Sequence, residues 1–164
     1  MQLALDHTLL VDRLIVVDIS PRRYAHHHDD IIKGMQLLAA SDLTSRRQAD
    51  ELLQPFVANA GVRAFLLKNL QRDDNANYRL RVNIDSIAKN YATIASEITS
   101  QNSFASPVLF IKGAESDYLT DKDRDPIAAL FPSATLKVIA GAGHWPHSEK
   151  PDVIHKVMSD FLAA

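Results

Sequence analysis

Three short apolar runs punctuate the chain: Leu14-Ile15-Val16-Val17, Val108-Leu109-Phe110-Ile111 and Leu136-Lys137-Val138-Ile139. The first two are continuous rather than alternating, which is the pattern of strands covered on both faces of a parallel sheet. Helices should separate such strands. Residues 123–130 have helical spacing and stop at Phe131-Pro132, while residues 151–162 place Val153, Ile154, Val157, Met158, Phe161 and Leu162 at helical intervals. The tail therefore predicts β-α-β-α, an α/β arrangement.

Between about residues 21 and 104 the pattern changes to helical periodicities without a convincing buried strand. Residues 31–40, 45–58, 62–70 and 84–99 each read as an amphipathic helix, with Thr44 or Ser45 capping the second and Asn59-Ala60-Gly61 ending it. The polar run 71–77 reads as a surface loop. The predicted organisation is a partial α/β core of residues 1–20 and 105–164, interrupted by a helical cap of residues 21–104, with no internal repeat.

Composition narrows the function classes. A chain of 164 residues has room for one domain of ordinary size or for a small core with an insertion, and 46% hydrophobic with 23% charged residues is the balance of a soluble globular protein. A formal charge of -2 makes no electrostatic case for nucleic acid or an acidic membrane. The absence of cysteine excludes disulfides, thiolate metal sites and a cysteine nucleophile, and leaves the redox compartment undecided. No apolar run approaches the ~18 residues of a membrane span. The opening Met1-Gln2-Leu3-Ala4-Leu5-Asp6-His7 lacks the basic region of a signal peptide, so the expected location is cytoplasmic.

The candidate chemistry sits just past the strand ends. His144 lies in Gly141-Ala142-Gly143-His144-Trp145-Pro146, where the glycines allow a sharp turn after the third run. In an open parallel sheet, the loops at the carboxyl ends of strands are where ligands bind. Ser116 and Asp117 follow the second run, and Asp18 follows the first. A carboxylate that accepts the Nδ1 proton of a histidine fixes its tautomer and stabilises the imidazolium, as a general base requires. Either aspartate can play that part, and either can instead be a loop-capping carboxylate. His26, His27 and His28 are consecutive, so they point in different directions on a helix and cannot share one ion; they read as a solvated helix start. No metal or cofactor is implied, since ligand spacings and a phosphate-cradling glycine loop are both lacking.

The segments "VDRLIVVDISP", "FLLKNL", "PVLFIKGAESDYL", "LFPSATLKVIAGAGHWPHSEKPDVI" and the final "FLAA" resemble the second half of an α/β-hydrolase. They are most similar to the small esterases of the bacterial YbfF type and related abhydrolase-domain proteins. The resemblance covers nearly the whole chain. It implies a serine hydrolase acting on a small acyl ester, with His144 as general base and Asp117 at the usual acid position. In part of this group the residues matching Ser116 and Asp18 associate with the histidine instead, and this chain has all three. Phe65, Leu66 and Tyr91 in the insertion, with Trp145 beside the base, are candidates to contact substrate; their competing role is ordinary packing.

No serine of the chain lies in the G-x-S-x-G turn that carries the nucleophile in such enzymes. The chain also opens in an apolar helical stretch without a capping residue. The expectation is therefore the carboxyl-terminal part of a longer hydrolase, inactive alone; the alternative is a non-catalytic pseudo-hydrolase or self-associating binding module. Three parallel strands leave an open edge, which predicts association with an amino-terminal half or with a second copy. Size-exclusion chromatography checks this: association that grows with concentration is expected, and a well-behaved monomer at all concentrations contradicts it.

Overall fold

The computed structural model describes residues 1–74 and 77–164. In chain order the elements are α1 (Gln2–Asp6), β1 (Leu14–Val17), α2 (Asp29–Ala39), α3 (Arg46–Leu53), α4 (Ala60–Leu66), β2 (Leu70–Arg72), β3 (Tyr78–Leu80), α5 (Ile84–Ile94), β4 (Val108–Gly113), α6 (Arg124–Leu130), β5 (Ala134–Ile139), α7 (Pro146–Glu149) and α8 (Pro151–Ala163). They form two compact units, Met1–Arg23 with Glu97–Ala164, and Tyr24–Ser96.

The first unit is built on a parallel sheet of order β1-β4-β5, with Leu14 opposite Val108 and Val108 opposite Ala134. Alternation along β4 sends its side chains to two separate cores. Val108 and Phe110 join Leu5, Val16, Phe104, Leu119 and Phe131 on one face. Leu109 and Ile111 meet Ile139, Ala142 and Ile154 on the other. The two continuous apolar runs therefore fare differently. β4 is central and buried at every residue except Lys112, whereas β1 is an edge strand in which only Val16 is buried. β5 is the other edge, and its Leu136 and Val138 are exposed. Phe104, at the end of the predicted insertion, is fully buried in this first unit.

The second unit packs α2, α3 and α5 around Met35, Leu38, Leu43, Leu53, Leu67 and Ile84. Ser45 caps α3 through the Gln48 amide, as the sequence suggests. Asn59 accepts from the Val62 amide and so starts α4 rather than ending the helix before it, and α3 stops at Leu53. The predicted helix over residues 62–70 ends early for a related reason. Leu70–Arg72 pairs antiparallel with Tyr78–Leu80, so that Leu70 lies opposite Leu80 and is buried. Strands of three residues are too short to show a period in the sequence. Of the predicted loop 71–77, residues 75 and 76 lie outside the described residues. Among the described residues, no helix is long and apolar enough to cross a membrane.

A buried carboxylate pins the turn that precedes α6. Asp123 is 2% exposed and accepts from the Ser20 hydroxyl at 2.8 Å, the Thr120 amide at 2.7 Å and the Thr120 hydroxyl at 2.9 Å. Arg22 Nε lies 3.2 Å away. Burial pushes the Asp123 carboxyl up, but the hydrogen bonds from Ser20 and Thr120 and the Arg22 charge outweigh it and hold the group below the usual carboxylate range. A carboxylate depressed in the folded state contributes stability that is present above its unfolded value and lost as pH falls through the folded one. The melting temperature should therefore drop as pH falls below about 4, where unfolded carboxyls protonate. Asp123→Asn should flatten that acid limb, and an unchanged limb would remove Asp123 from the account.

Candidate active site

β1 ends at Val17, and the next residue turns sharply. Asp18 has φ 51, in the left-handed region that non-glycine residues enter only at a cost, and it is 0% exposed. Its amide continues the ladder by donating to the Ile111 carbonyl at 2.7 Å. Its carboxylate collects donors from the end of β4 and from the loops after β4 and β5. Oδ1 accepts from the Gly113 amide at 2.9 Å, and Oδ2 accepts from the Ser116 hydroxyl and from His144 Nδ1, the latter at 2.8 Å. Among the described residues, no buried side-chain polar atom lacks a partner.

His144 reaches this carboxylate from a glycine-rich loop. Gly141 has φ 62. A Cβ on Gly113 would lie 1.9 Å from the Gly143 carbonyl oxygen and 2.6 Å from that of Ala142, so the two loops can touch only because Gly113 has no side chain. The Ala142 carbonyl accepts from the Glu115 amide at 2.9 Å, and the Ile139 carbonyl from the Ala114 amide at 2.9 Å. Lys112 Nζ donates to the Gly113 and Ser116 carbonyls, holding the Ser116 turn from its outer side. Tyr118 stacks on the His144 ring with centroids 3.6 Å apart and planes 15° from parallel, and its amide donates to the Ser116 hydroxyl at 3.2 Å.

An ionised carboxylate can only accept hydrogen bonds, so the neutral His144 ring paired with Asp18 carries its proton on Nδ1. Nε2 then holds the lone pair. The His144 side chain is 38% exposed, and a general base needs such an accessible ring nitrogen.

The structure thus brings Asp18, Ser116 and His144 together. It does not bring the Asp117 carboxylate to the histidine: Asp117 is exposed, and its backbone carbonyl accepts from Arg22 Nη2 at 3.4 Å. Trp145 is half-buried directly after the base. In the second unit, Leu66 and Tyr91 line a pocket of about 250 Å³ with Ile31, Met35, Val82 and Ile87. The Tyr91 hydroxyl lies 2.7 Å from His28 Nδ1. Phe65 is 46% exposed, with Lys68 Nζ 5.6 Å from its ring centroid, and does not line that pocket. His28 sits at the start of α2, where the consecutive histidines were expected. Among the described residues, no three His, Asp or Glu side chains are grouped to hold a metal ion. Gly113 and Tyr118 escaped the sequence reading. Gly113 ends an apolar run, which is its only local signal, and nothing local marks Tyr118 as a neighbour of a histidine so distant in sequence.

No family model matches the chain. It is 33% identical over 153 residues to the esterase YbfF of Escherichia coli, an alignment covering 93% of this chain and 58% of that protein. It is 36% identical over 166 residues to the sn-1-specific diacylglycerol lipase ABHD11 of Danio rerio, covering 97% and 52% respectively. A solved marine microorganism esterase superposes with a TM-score of 0.89 at 38% identity, over 96% of this chain and 63% of that one. The chain spans about half the length of the curated relatives it matches.

Replacing Asp18 by alanine strands the buried Gly113 amide and Ser116 hydroxyl and leaves a Cβ in left-handed backbone. The expected loss is about 3 kcal/mol or more of unfolding free energy, since each stranded group alone costs roughly 1–3. Denaturant unfolding measures it, and a loss under about 1 kcal/mol would mean that the site does not depend on this carboxylate.

Proposed function

Given that the chain carries the carboxyl-terminal part of an α/β-hydrolase fold, we propose that it supplies the general base of a serine esterase together with the carboxylate that orients it. The observation that carries this reading is the 2.8 Å contact between His144 Nδ1 and the fully buried Asp18 carboxylate. Asp18 holds the Nδ1 proton, and Nε2 takes the proton of an attacking serine hydroxyl. The imidazolium that forms is stabilised by the adjacent negative charge, and His144 then returns the proton to the leaving alcohol. Ser116 shares Asp18 Oδ2 and keeps the carboxylate aimed between the two loops. Asp117 has no part in orienting the base.

The nucleophile and the oxyanion donor that follows it come from a G-x-S-x-G segment, and the second oxyanion donor from an upstream His-Gly segment; this sequence contains neither, so the chain alone is expected not to hydrolyse esters. The β1 edge is where an amino-terminal half or a second copy would pair. In support, Leu9 and Leu10 just before that strand are 97% and 76% exposed. The substrate is a small acyl ester, in keeping with relatives named as an esterase and a diacylglycerol lipase. The Tyr24–Ser96 unit serves as the cap, and the apolar pocket beside Leu66 and Tyr91 is its candidate contact for an acyl chain.

Hydrolysis of p-nitrophenyl butyrate tests the reading. The chain by itself should be inactive, and activity should appear when it is joined to a serine-bearing half. In that active form, His144→Ala and Asp18→Asn should each lower kcat by about 10³-fold or more, the scale seen when a triad member is lost. Asp117→Asn should leave kcat unchanged. Full activity in His144→Ala would overturn the assignment of the base, and loss of activity in Asp117→Asn with retention in Asp18→Asn would move the acid to Asp117.

A further inference from the structure

Glu149 closes the single turn of α7, and its side chain folds back over the loop that carries His144. Oε2 accepts from the Gly143 amide at 2.8 Å and Oε1 from the Trp145 amide at 3.2 Å. The two oxygens of one carboxylate therefore bracket His144 along the backbone. That loop needs an external restraint, because two of the three residues before the histidine are glycines, with the widest backbone freedom of any residue. Glu149 is itself delivered from a stiff frame. Pro146 opens α7 and Pro151 opens α8, and the Glu149 and Lys150 amides donate to the Trp145 and Pro146 carbonyls at 3.0 and 2.9 Å. Hydrogen bonds from neutral amides to a carboxylate are also stronger and shorter than those to a neutral acceptor.

We propose that Glu149 is a positioning residue for the base: its two oxygens fix the main chain on either side of His144, so that the ring stays against Tyr118 with Nδ1 on Asp18. This rests on the reading of His144 as general base. Glu149 is exposed, so its bonds add little to global stability, and their consequence falls on the order of one loop.

The test is nuclear magnetic resonance of the 164-residue chain, following the low-field Nδ1–H proton of His144 and the exchange of the Gly143 and Trp145 amides. In Glu149→Ala the two amides should exchange at least about fivefold faster, the factor expected for a lost hydrogen bond. The His144 Nδ1–H signal should broaden and vanish while the melting temperature stays near that of the unaltered chain. Glu149→Gln keeps one acceptor oxygen and turns an amide donor toward the other N–H, so it should leave a weakened but visible signal. A signal of unaltered intensity in Glu149→Ala overturns the proposal. If that variant fails to fold, unaltered intensity in Glu149→Gln does so instead. A signal missing already in the unaltered chain removes the Asp18 pairing, and the reading of the base falls with it; that result is distinct from a signal that merely ignores Glu149.

Discussion

One buried charge organises the carboxyl end of the sheet. Removing a carboxylate from water costs several kcal/mol unless its oxygens find donors. Asp18 finds them on two other segments: the Gly113 amide at the end of β4 with the Ser116 hydroxyl just after it, and the His144 imidazole after β5. Three segments far apart in sequence must therefore converge within hydrogen-bonding distance of one side chain. The left-handed backbone at Asp18 and the absence of a Cβ at Gly113 are local conditions of that convergence.

Parallel topology makes the convergence possible. With β1, β4 and β5 running the same way, all three following loops leave the same end of the sheet, and β4 in the centre is flanked by both partners. The choice between the two aspartates then follows from geometry. Asp18 leaves its strand in a tight turn that sends its carboxylate beneath the β4 and β5 loops, whereas Asp117 lies one residue beyond the Ser116 turn and faces solvent.

Much of this was legible in the residues. The apolar runs at Leu14 and Val108 read as strands because burial on β4 and pairing on β1 demand β-branched and apolar side chains. The helices after β4 and β5 read from their period, the first with a stop at Phe131-Pro132 and the second with a start at Pro151. His144, Ser116 and Asp18 were visible as polar residues at strand ends. Their grouping was not, because spacing along the chain says nothing of whether Asp18 or Asp117 turns inward; that is decided by a backbone φ. The antiparallel pair of Leu70–Arg72 and Tyr78–Leu80 was missed because it rests on pairing between two three-residue strands rather than on a periodic pattern. Gly113 was missed because its role is to be absent as a side chain, which becomes evident only once the Gly143 carbonyl is beside it.

Everything else at this site depends on which carboxylate holds His144, and proton magnetic resonance of the Nδ1–H signal asks this most directly. A low-field resonance that is present in the unaltered chain and in Asp117→Asn, and lost in Asp18→Asn, is the predicted result. A resonance that survives in Asp18→Asn and disappears in Asp117→Asn would contradict the arrangement from which every other inference about the site proceeds.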